Sequence, residues 1–138
     1  MFAFVSMAQT LSTPAAVTPD ATITGEYYKM LTLDTITDVG TASYVFRIKG
    51  TENINIKVGL YSDRLSGTAG GYLIAYGSLN GVNYISLADT ITITGVSSDV
   101  FDTETIDLAA FNWPYLKLIM TQSGTASCIH KPYIYAKY

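Results

Sequence analysis

Hydrophobic and polar residues alternate with a period close to two along most of the chain after residue 26. The clearest alternation spans residues 53–61, where Ile54, Ile56, Val58 and Leu60 occupy every second position. Because successive side chains of a strand point to opposite faces, this pattern predicts a strand with one face in the core. A shift by one residue would expose all four aliphatic side chains, so the register of this strand is well specified.

A second strand is predicted at residues 42–49, where Tyr44, Phe46 and Ile48 share one face. We predict that this strand and the one at residues 53–61 form the core pair. Apolar residues lie on both faces of a third predicted strand, so its orientation is ambiguous. This third strand spans residues 26–33. The remaining predicted strands span residues 90–94, 115–121 and 128–138.

Residues 72–87 are predicted to form a hairpin around Asn80-Gly81, a dipeptide typical of a tight type I′ turn. Residues 62–71 contain three glycines and predict a surface loop. A further turn is predicted at residues 123–126. Because Pro132 cannot donate a backbone hydrogen bond, the last strand is expected at a sheet edge or at a bulge.

Strands at about ten-residue spacing, separated by turns and without a helical period, predict an all-β fold. The expected architecture is an antiparallel, jelly-roll-like β-sandwich of about seven to nine strands. We predict one sandwich domain at residues 26–138 and an extended N-terminal arm at residues 1–25. The arm contains one charged residue and two of the four prolines. It either folds back as a strand of its own domain or docks on a neighbouring chain.

The arm has an apolar tip, and large side chains of this kind are unfavourable in water, at about 1.5–3 kcal/mol each. We predict that the tip contacts a partner. For the single tryptophan three interpretations stay open: a core residue, which is favoured, an interface residue or a ligand platform. The predicted partner contacts are Phe2, Phe4, Val5, Met7, Leu11 and Trp113.

The chain of 138 residues has only 14% charged residues, against about 25% in a typical globular protein. A surface with so little charge is expected to be partly covered by other molecules. The net charge is −3 and the cationic residues are scattered singly, which argues against nucleic acid as a partner. The sequence also lacks an apolar run of transmembrane length, so no membrane partner is predicted.

Two groups of residues are candidates for a chemical site. Cys128 and His130 lie two positions apart and so share a face, but the chain has no other cysteine or histidine to complete a zinc site. A packed cysteine beside a surface histidine is the favoured interpretation. Residues 99–107 contain four carboxylates, which could bind calcium or, less favourably, support glycoside hydrolysis. Their spacing differs from that of an EF-hand loop, so a solvated loop is favoured. We predict no catalytic residue, no metal, no cofactor and no enzyme activity.

Several segments together resemble small β-sandwich virion proteins of tailed and related phages. The resemblance extends over residues 42–138, and it rests on GSLNGVNYIS at 77–86, WPYLKLIM at 113–120, TQSGTAS at 121–127 and KPYIY at 131–135. Proteins of this kind decorate or cement capsids, or occur in head fibres and tails. The resemblance implies a structural protein located in the virion that binds the particle lattice through its surface and its arm. It implies as partners the major capsid protein or other virion proteins, together with copies of the chain itself in a homo-oligomer, and it carries no ligand residues.

The competing hypothesis is a carbohydrate-binding module of a phage tail or fibre, or of a secreted adhesin. Exposed aromatic rings would then stack on sugar rings, and an alignment of aromatics on one exposed face would favour this hypothesis. The candidate stacking residues are Tyr61, Tyr72, Tyr76 and Trp113.

Overall fold

The computed structural model describes residues 18–50, 53–96, 100–101 and 105–138, and these residues form strands and no helix. The prediction of an all-β fold is confirmed. The nine strands of this part of the chain are β1 (Ala21–Ile23), β2 (Tyr27–Met30), β3 (Ile36–Thr37), β4 (Gly40–Ile48), β5 (Ile54–Ser78), β6 (Ile85–Val96), β7 (Val100–Phe101), β8 (Ile106–Phe111) and β9 (Tyr115–Lys137).

The fold is built on one long antiparallel ladder between β5 and β9. The ladder runs from the pair Asn55 and Lys137 to the pair Ser78 and Tyr115. Shorter strands flank it at both ends, with β8 on β5 and β2 on β9 at the first end. At the second end, β6 pairs with β5 and β4 pairs with β9, and β1 runs parallel to β4.

The two ends of the ladder form the two layers of a β-sandwich. The first layer contains residues 54–62 of β5 and residues 130–137 of β9, and the second contains residues 66–78 and 115–127. Buried residues of both layers belong to one hydrophobic cluster, for example Val58 and Ile134 of the first layer with Leu73 and Leu118 of the second. The layers therefore face each other across a common core.

The predicted inward faces of β4 and β5 are confirmed, because Phe46 and the aliphatic residues from Ile54 to Leu60 are buried. The prediction that these two strands pair with each other is wrong. Strand β4 pairs with β9 and with β1, and β5 pairs with β9 on one side. The last strand of the sequence separates them, and its length could not be recognised from the alternation alone.

The loop predicted at residues 62–71 and the turn predicted at residues 123–126 are also wrong. Both segments belong to the ladder and pair with each other, and a register shift lies between Arg64 and Ser66. Their glycines bend the strands instead of ending them, since Gly67 and Gly124 have φ angles of 74° and 92°. A bulge or a glycine in such a conformation sharpens the local bend of a strand that stays paired.

Pro132 lies in the central strand β9 and pairs with Leu60 without a register shift, so the prediction of an edge strand or of a bulge is wrong. In an antiparallel ladder, the N–H and C=O groups of one residue point to the same neighbour. The Pro132 carbonyl accepts a hydrogen bond from the Leu31 amide at 2.7 Å. The missing N–H of the proline therefore faces residues 31–35, where the chain is not in a strand between β2 and β3.

The hairpin predicted at residues 72–87 is confirmed by the pairing of β5 with β6. The prediction of a tight two-residue turn at Asn80-Gly81 is wrong. Gly77 pairs with Ile85 and β5 ends at Ser78, so the connection spans residues 79–84, and of its residues only Gly81 has a positive φ, at 76°.

The predicted arm at residues 1–25 lies mostly outside the described residues, which begin at residue 18. In the described part of the arm, Ala21–Ile23 form β1 and pair in parallel with Phe46 to Ile48. The Asp20 carboxylate accepts a hydrogen bond from the Val45 amide at 2.7 Å. This short part of the arm is thus a strand of its own domain.

Candidate functional site

Three buried polar side chains are linked by hydrogen bonds at the bend of the β5–β9 ladder, where the first layer continues into the second. We call these side chains the polar chain. The Ser62 hydroxyl lies 2.7 Å from Nδ1 of His130, and Nε2 of His130 lies 2.8 Å from Oε1 of Gln122. All three residues are buried. The Gln122 amide nitrogen donates to the carbonyl oxygens of Ile36 in β3, of Asp38 between β3 and β4, and of Ala126 in β9.

These contacts define the protonation state of the imidazole. The three carbonyl oxygens require the nitrogen of the Gln122 amide, so Oε1 is the acceptor that faces His130. His130 therefore donates from Nε2 and accepts at Nδ1 from the Ser62 hydroxyl. Burial lowers the pKa of His130 from 6.5 to about 4, because a charged ring would be poorly solvated in this position.

The arrangement serves the fold and is closed to a substrate. Ser62 and His130 are almost completely buried, so a bound molecule could not reach the hydroxyl without opening the sandwich. Cys128 is buried on the same strand, as its predicted packing requires, but the prediction of a surface histidine is wrong. Within the described ranges no three residues of the types His, Cys, Asp and Glu gather into a possible metal site.

The turn of the hairpin between β5 and β6 exposes several large apolar side chains. Leu79 is 74% exposed, Val82 is 44% exposed and Ile85, the first residue of β6, is 59% exposed. We call the segment from Ser78 to Ile85 the hairpin tip. Single exposed apolar residues are common on protein surfaces, but three within one short turn form a candidate contact surface.

Side-chain hydrogen bonds fix the backbone of the hairpin tip. The Ser78 hydroxyl accepts hydrogen bonds from the amides of Asn80 and Gly81, at 3.2 Å and 2.9 Å. Oδ1 of Asn80 accepts hydrogen bonds from the amides of Val82 and Asn83, at 2.8 Å and 2.9 Å. Serine and asparagine side chains often close turns in this way, and here they hold the apolar residues in one arrangement.

The hairpin tip is also held against the second layer. Gly81 is buried, and a Cβ atom at this position would be 3.0 Å from the Tyr115 ring, so the turn packs tightly on that ring. The guanidinium of Arg47 lies 4.7 Å from the centroid of the same ring. The exposed leucine and valine thus project from a turn with a packed base.

Trp113, a predicted partner contact, is half-buried and packs against the core. A Cβ atom at Gly77 would be 2.8 Å from its ring, so the glycine allows the indole to lie on β5. The tryptophan also lines a cleft of about 410 Å³ together with Arg47, Lys49 and Asn53. The other predicted partner contacts, Phe2, Phe4, Val5, Met7 and Leu11, lie outside the described residues.

The tyrosines predicted as stacking residues do not share one surface. Tyr72 and Tyr76 point outward from the second layer, whereas Tyr61 lies on the outer face of the first. A different set of tyrosines lines up on that outer face of the first layer. The members of this set are Tyr28, Tyr133 and Tyr135. The sequence did not indicate the set, because Tyr28 belongs to the predicted strand at residues 26–33, whose orientation was ambiguous.

The acidic stretch at residues 99–107 is described only in part. Asp107 lies in β8 and forms an ion pair with Lys57 at 3.6 Å, and both side chains are largely exposed. The other carboxylates of the stretch, Asp99, Asp102 and Glu104, lie outside the described residues. The described ranges contain no helix of sufficient length and apolar character to cross a bilayer.

No protein-family model and no curated protein matches the sequence. Among solved structures, the chain is similar to the Family 16 Carbohydrate Binding Module-2, with a TM-score of 0.39 and 8% identity over 70% of each chain. It is also similar to dimeric latent PorU from Porphyromonas gingivalis, with a TM-score of 0.37, 15% identity, and coverage of 88% of this chain and 14% of that one.

A third similarity is to the structure of infectious bursal disease virus, Gx strain, with a TM-score of 0.34 and 12% identity. It covers 81% of this chain and 33% of that one. The three descriptions differ from one another.

Proposed function

We propose that this chain is a structural virion protein of the capsid-decoration type, which docks on a particle lattice through the hairpin tip and the N-terminal arm. The observation that carries the proposal is the hairpin tip, a hydrogen-bonded turn that exposes Leu79, Val82 and Ile85. The partners would be the major capsid protein or other virion proteins, with further copies of the chain itself.

The rigidity of the tip supports a role in binding. Ordering a flexible segment at an interface costs about 0.5–1.5 kcal/mol for each immobilised side chain. In a turn held by Ser78 and Asn80 the backbone is already ordered, so binding has to order only the side chains. Burying large aliphatic side chains then contributes about 1.5–3 kcal/mol each, so the tip could anchor a stable contact.

The charge of the chain supports the same role. Only 14% of its residues are charged, which is low for a domain surrounded by water on all sides. A subunit whose surface is covered by neighbours needs fewer charges for solubility and gains stability from its contacts. Assemblies of identical copies usually obey closed symmetry, so a fixed number of copies at each lattice site is expected.

The experiment compares co-sedimentation of purified chain with virus particles that have been stripped of their own copies. The test variant replaces all three exposed residues of the tip, L79S, V82S and I85S together. The control variant carries V39S and L65S, which change two similarly exposed apolar residues remote from the tip. Both variants are expected to fold, because exposed side chains contribute little to stability, usually within about 0.5 kcal/mol.

We expect the wild-type chain and the control to sediment with the particles, and the tip variant to lose at least about tenfold in affinity. If the tip variant binds as tightly as the control, the hairpin tip is not the docking surface and the proposal loses its main support.

A further inference from the structure

A groove on the outer face of the first layer lies beside an irregularity in the pairing of β5 with β8. Ile54 pairs with Phe111 and Ile56 pairs with Leu108, so β8 contains one extra residue between the two pairs. The extra residue makes a β-bulge, and Ala110 has a φ angle of 51°, in the left-handed region that a non-glycine residue rarely adopts. Bulges and backbone outliers of this kind occur preferentially next to binding sites.

Asn55 stabilises the unusual backbone of the bulge. Its Oδ1 atom accepts a hydrogen bond from the Ala110 amide at 2.9 Å. Because the oxygen is occupied in this way, the amide nitrogen of Asn55 is the atom that remains to donate hydrogen bonds to a ligand. The groove has a volume of about 480 Å³, and Asn55 lines it.

The groove has an aromatic wall. Tyr135 lines it and pairs directly with Tyr28 of β2, so both rings are on the outer face. The Tyr135 hydroxyl donates a hydrogen bond to the Glu26 carboxylate at 3.1 Å, and this bond raises the pKa of the tyrosine. Beside them, the Tyr133 ring lies across Gly59, and any side chain at position 59 would overlap it.

The charged groups of the groove differ in their pairing. Lys57 and Asp107 line it and pair with each other at 3.6 Å. Lys137 also lines it, next to Asn55 on the neighbouring strand, and forms no ion pair with any residue of the described ranges. Among the charged residues that line the groove, Lys137 is therefore the one without an ion-pair partner in the described part of the chain, while the Glu26 carboxylate on the same face is hydrogen-bonded to Tyr135.

From these contacts we infer that the groove binds an acidic oligosaccharide, a chain of pyranose rings that bear carboxylates. Tyr135 supplies a ring face on which a sugar ring can stack, Asn55 donates to its hydroxyl groups, and Lys137 binds its carboxylate. A peptide strand is a poorer occupant. The strands β5 and β9 supply most of the polar side chains of the groove, and both are paired on each side in the described part of this layer, so they offer side chains and not backbone to a ligand.

The test is calorimetric titration of the isolated chain with hexasaccharides of galacturonate and of mannuronate, and with the neutral cellohexaose and maltohexaose. The variants are Tyr135→Ala and Lys137→Gln. Tyr72→Ala is the matched control, because Tyr72 is 43% exposed on the outer face of the other layer and Tyr135 is 39% exposed. Thermal melting of each variant verifies that it is folded.

We expect at least one of the acidic hexasaccharides to bind, with an affinity that falls as salt is added. Tyr135→Ala should weaken this binding by about tenfold or more, and Lys137→Gln should weaken it and reduce its salt dependence. Tyr72→Ala should leave it unchanged.

The inference is overturned if neither acidic hexasaccharide binds at millimolar concentration, or if the neutral ones bind equally well. Equal losses for Tyr72→Ala and Tyr135→Ala would also contradict it. The titration needs no particle, and the L79S, V82S and I85S variant should bind the sugar normally. Failure of the groove therefore leaves the proposed docking role intact, and failure of docking leaves the groove intact.

Discussion

Among the titratable residues that the structure describes, His130 has the pKa that burial shifts most. Both ring nitrogens are engaged in hydrogen bonds that suit the neutral ring, and burial lowers its pKa to about 4. In the unfolded chain the same side chain has a pKa of about 6.5. The unfolded state therefore binds more protons between these two values, and the native state loses stability as the pH falls.

We predict that the contribution of His130 to stability is complete above about pH 6.5 and decreases as the pH falls toward 4. Between pH 7.5 and pH 4.5 the free energy of unfolding should fall by about 2–3 kcal/mol from this residue. Urea denaturation at a series of pH values measures the slope. In His130→Gln the slope over this interval should be much smaller, and an unchanged slope would assign the acid sensitivity to other groups.

The hydroxyl of Ser62 should contribute to stability because it is the donor to Nδ1 of His130. Ser62→Ala leaves a buried acceptor without a partner, which costs about 1–3 kcal/mol. Ser123→Ala is the control, since that serine is exposed. Urea denaturation at pH 7.5 should show a loss for the first variant only; equal midpoints would mean that the hydroxyl is not needed.

The sequence showed only part of this polar chain. Cys128 and His130 were correctly placed on one face by their spacing, but Ser62 and Gln122 carried no signal. Ser62 lies 68 positions from His130, and their contact depends on the register of β5 with β9. That register passes through two segments that were predicted to be loop and turn.

At the scale of elements, the two long strands are the main difference between the expected and the observed fold. Alternation of apolar residues identified most strands and their inward faces, because burial on one side leaves a direct mark on the sequence. A turn between two strands and a bend within one strand have the same sequence composition, a cluster of glycine, serine and threonine. Only the partner strand, here residues 123–130 beside residues 62–70, decides between them.

We predict that the glycines of the bend differ sharply in their tolerance of substitution. Gly71 has a φ angle of 132°, and a Cβ atom there would overlap the Thr121 carbonyl, so Gly71→Ala should destabilise the fold by about 2 kcal/mol or more. Gly70→Ala is the matched control. Its Cβ atom would be 3.2 Å from the exposed Ser123 hydroxyl, which can rotate away. Thermal unfolding measures both, and similar melting temperatures would contradict the assignment of the bend.

At the scale of the molecule, the residues that stabilise the sandwich and the residues proposed to bind a partner lie in different regions. The core and the polar chain hold the two layers together. The hairpin tip is packed at its base and apolar at its surface. In the proposed function, the sandwich is a rigid carrier for this contact surface and for the arm.

Removal of residues 1–17 tests the arm. The truncated chain keeps strand β1 and the hydrogen bond from the Val45 amide to Asp20, so it should still fold and melt cooperatively. We predict that it no longer sediments with stripped particles, because the apolar tip of the arm is lost. Normal incorporation of the truncated chain would count against a role for the arm in docking.

The most direct test of the proposed role is the copy number of this chain in virus particles purified from the biological source that produces the protein. Quantitative mass spectrometry with isotope-labelled peptides measures its ratio to the most abundant lattice protein. A decoration protein is expected at many copies in each particle, in a constant small-integer ratio to the lattice sites. Absence of the chain from intact particles, or a few copies without a constant ratio, would contradict the role proposed here.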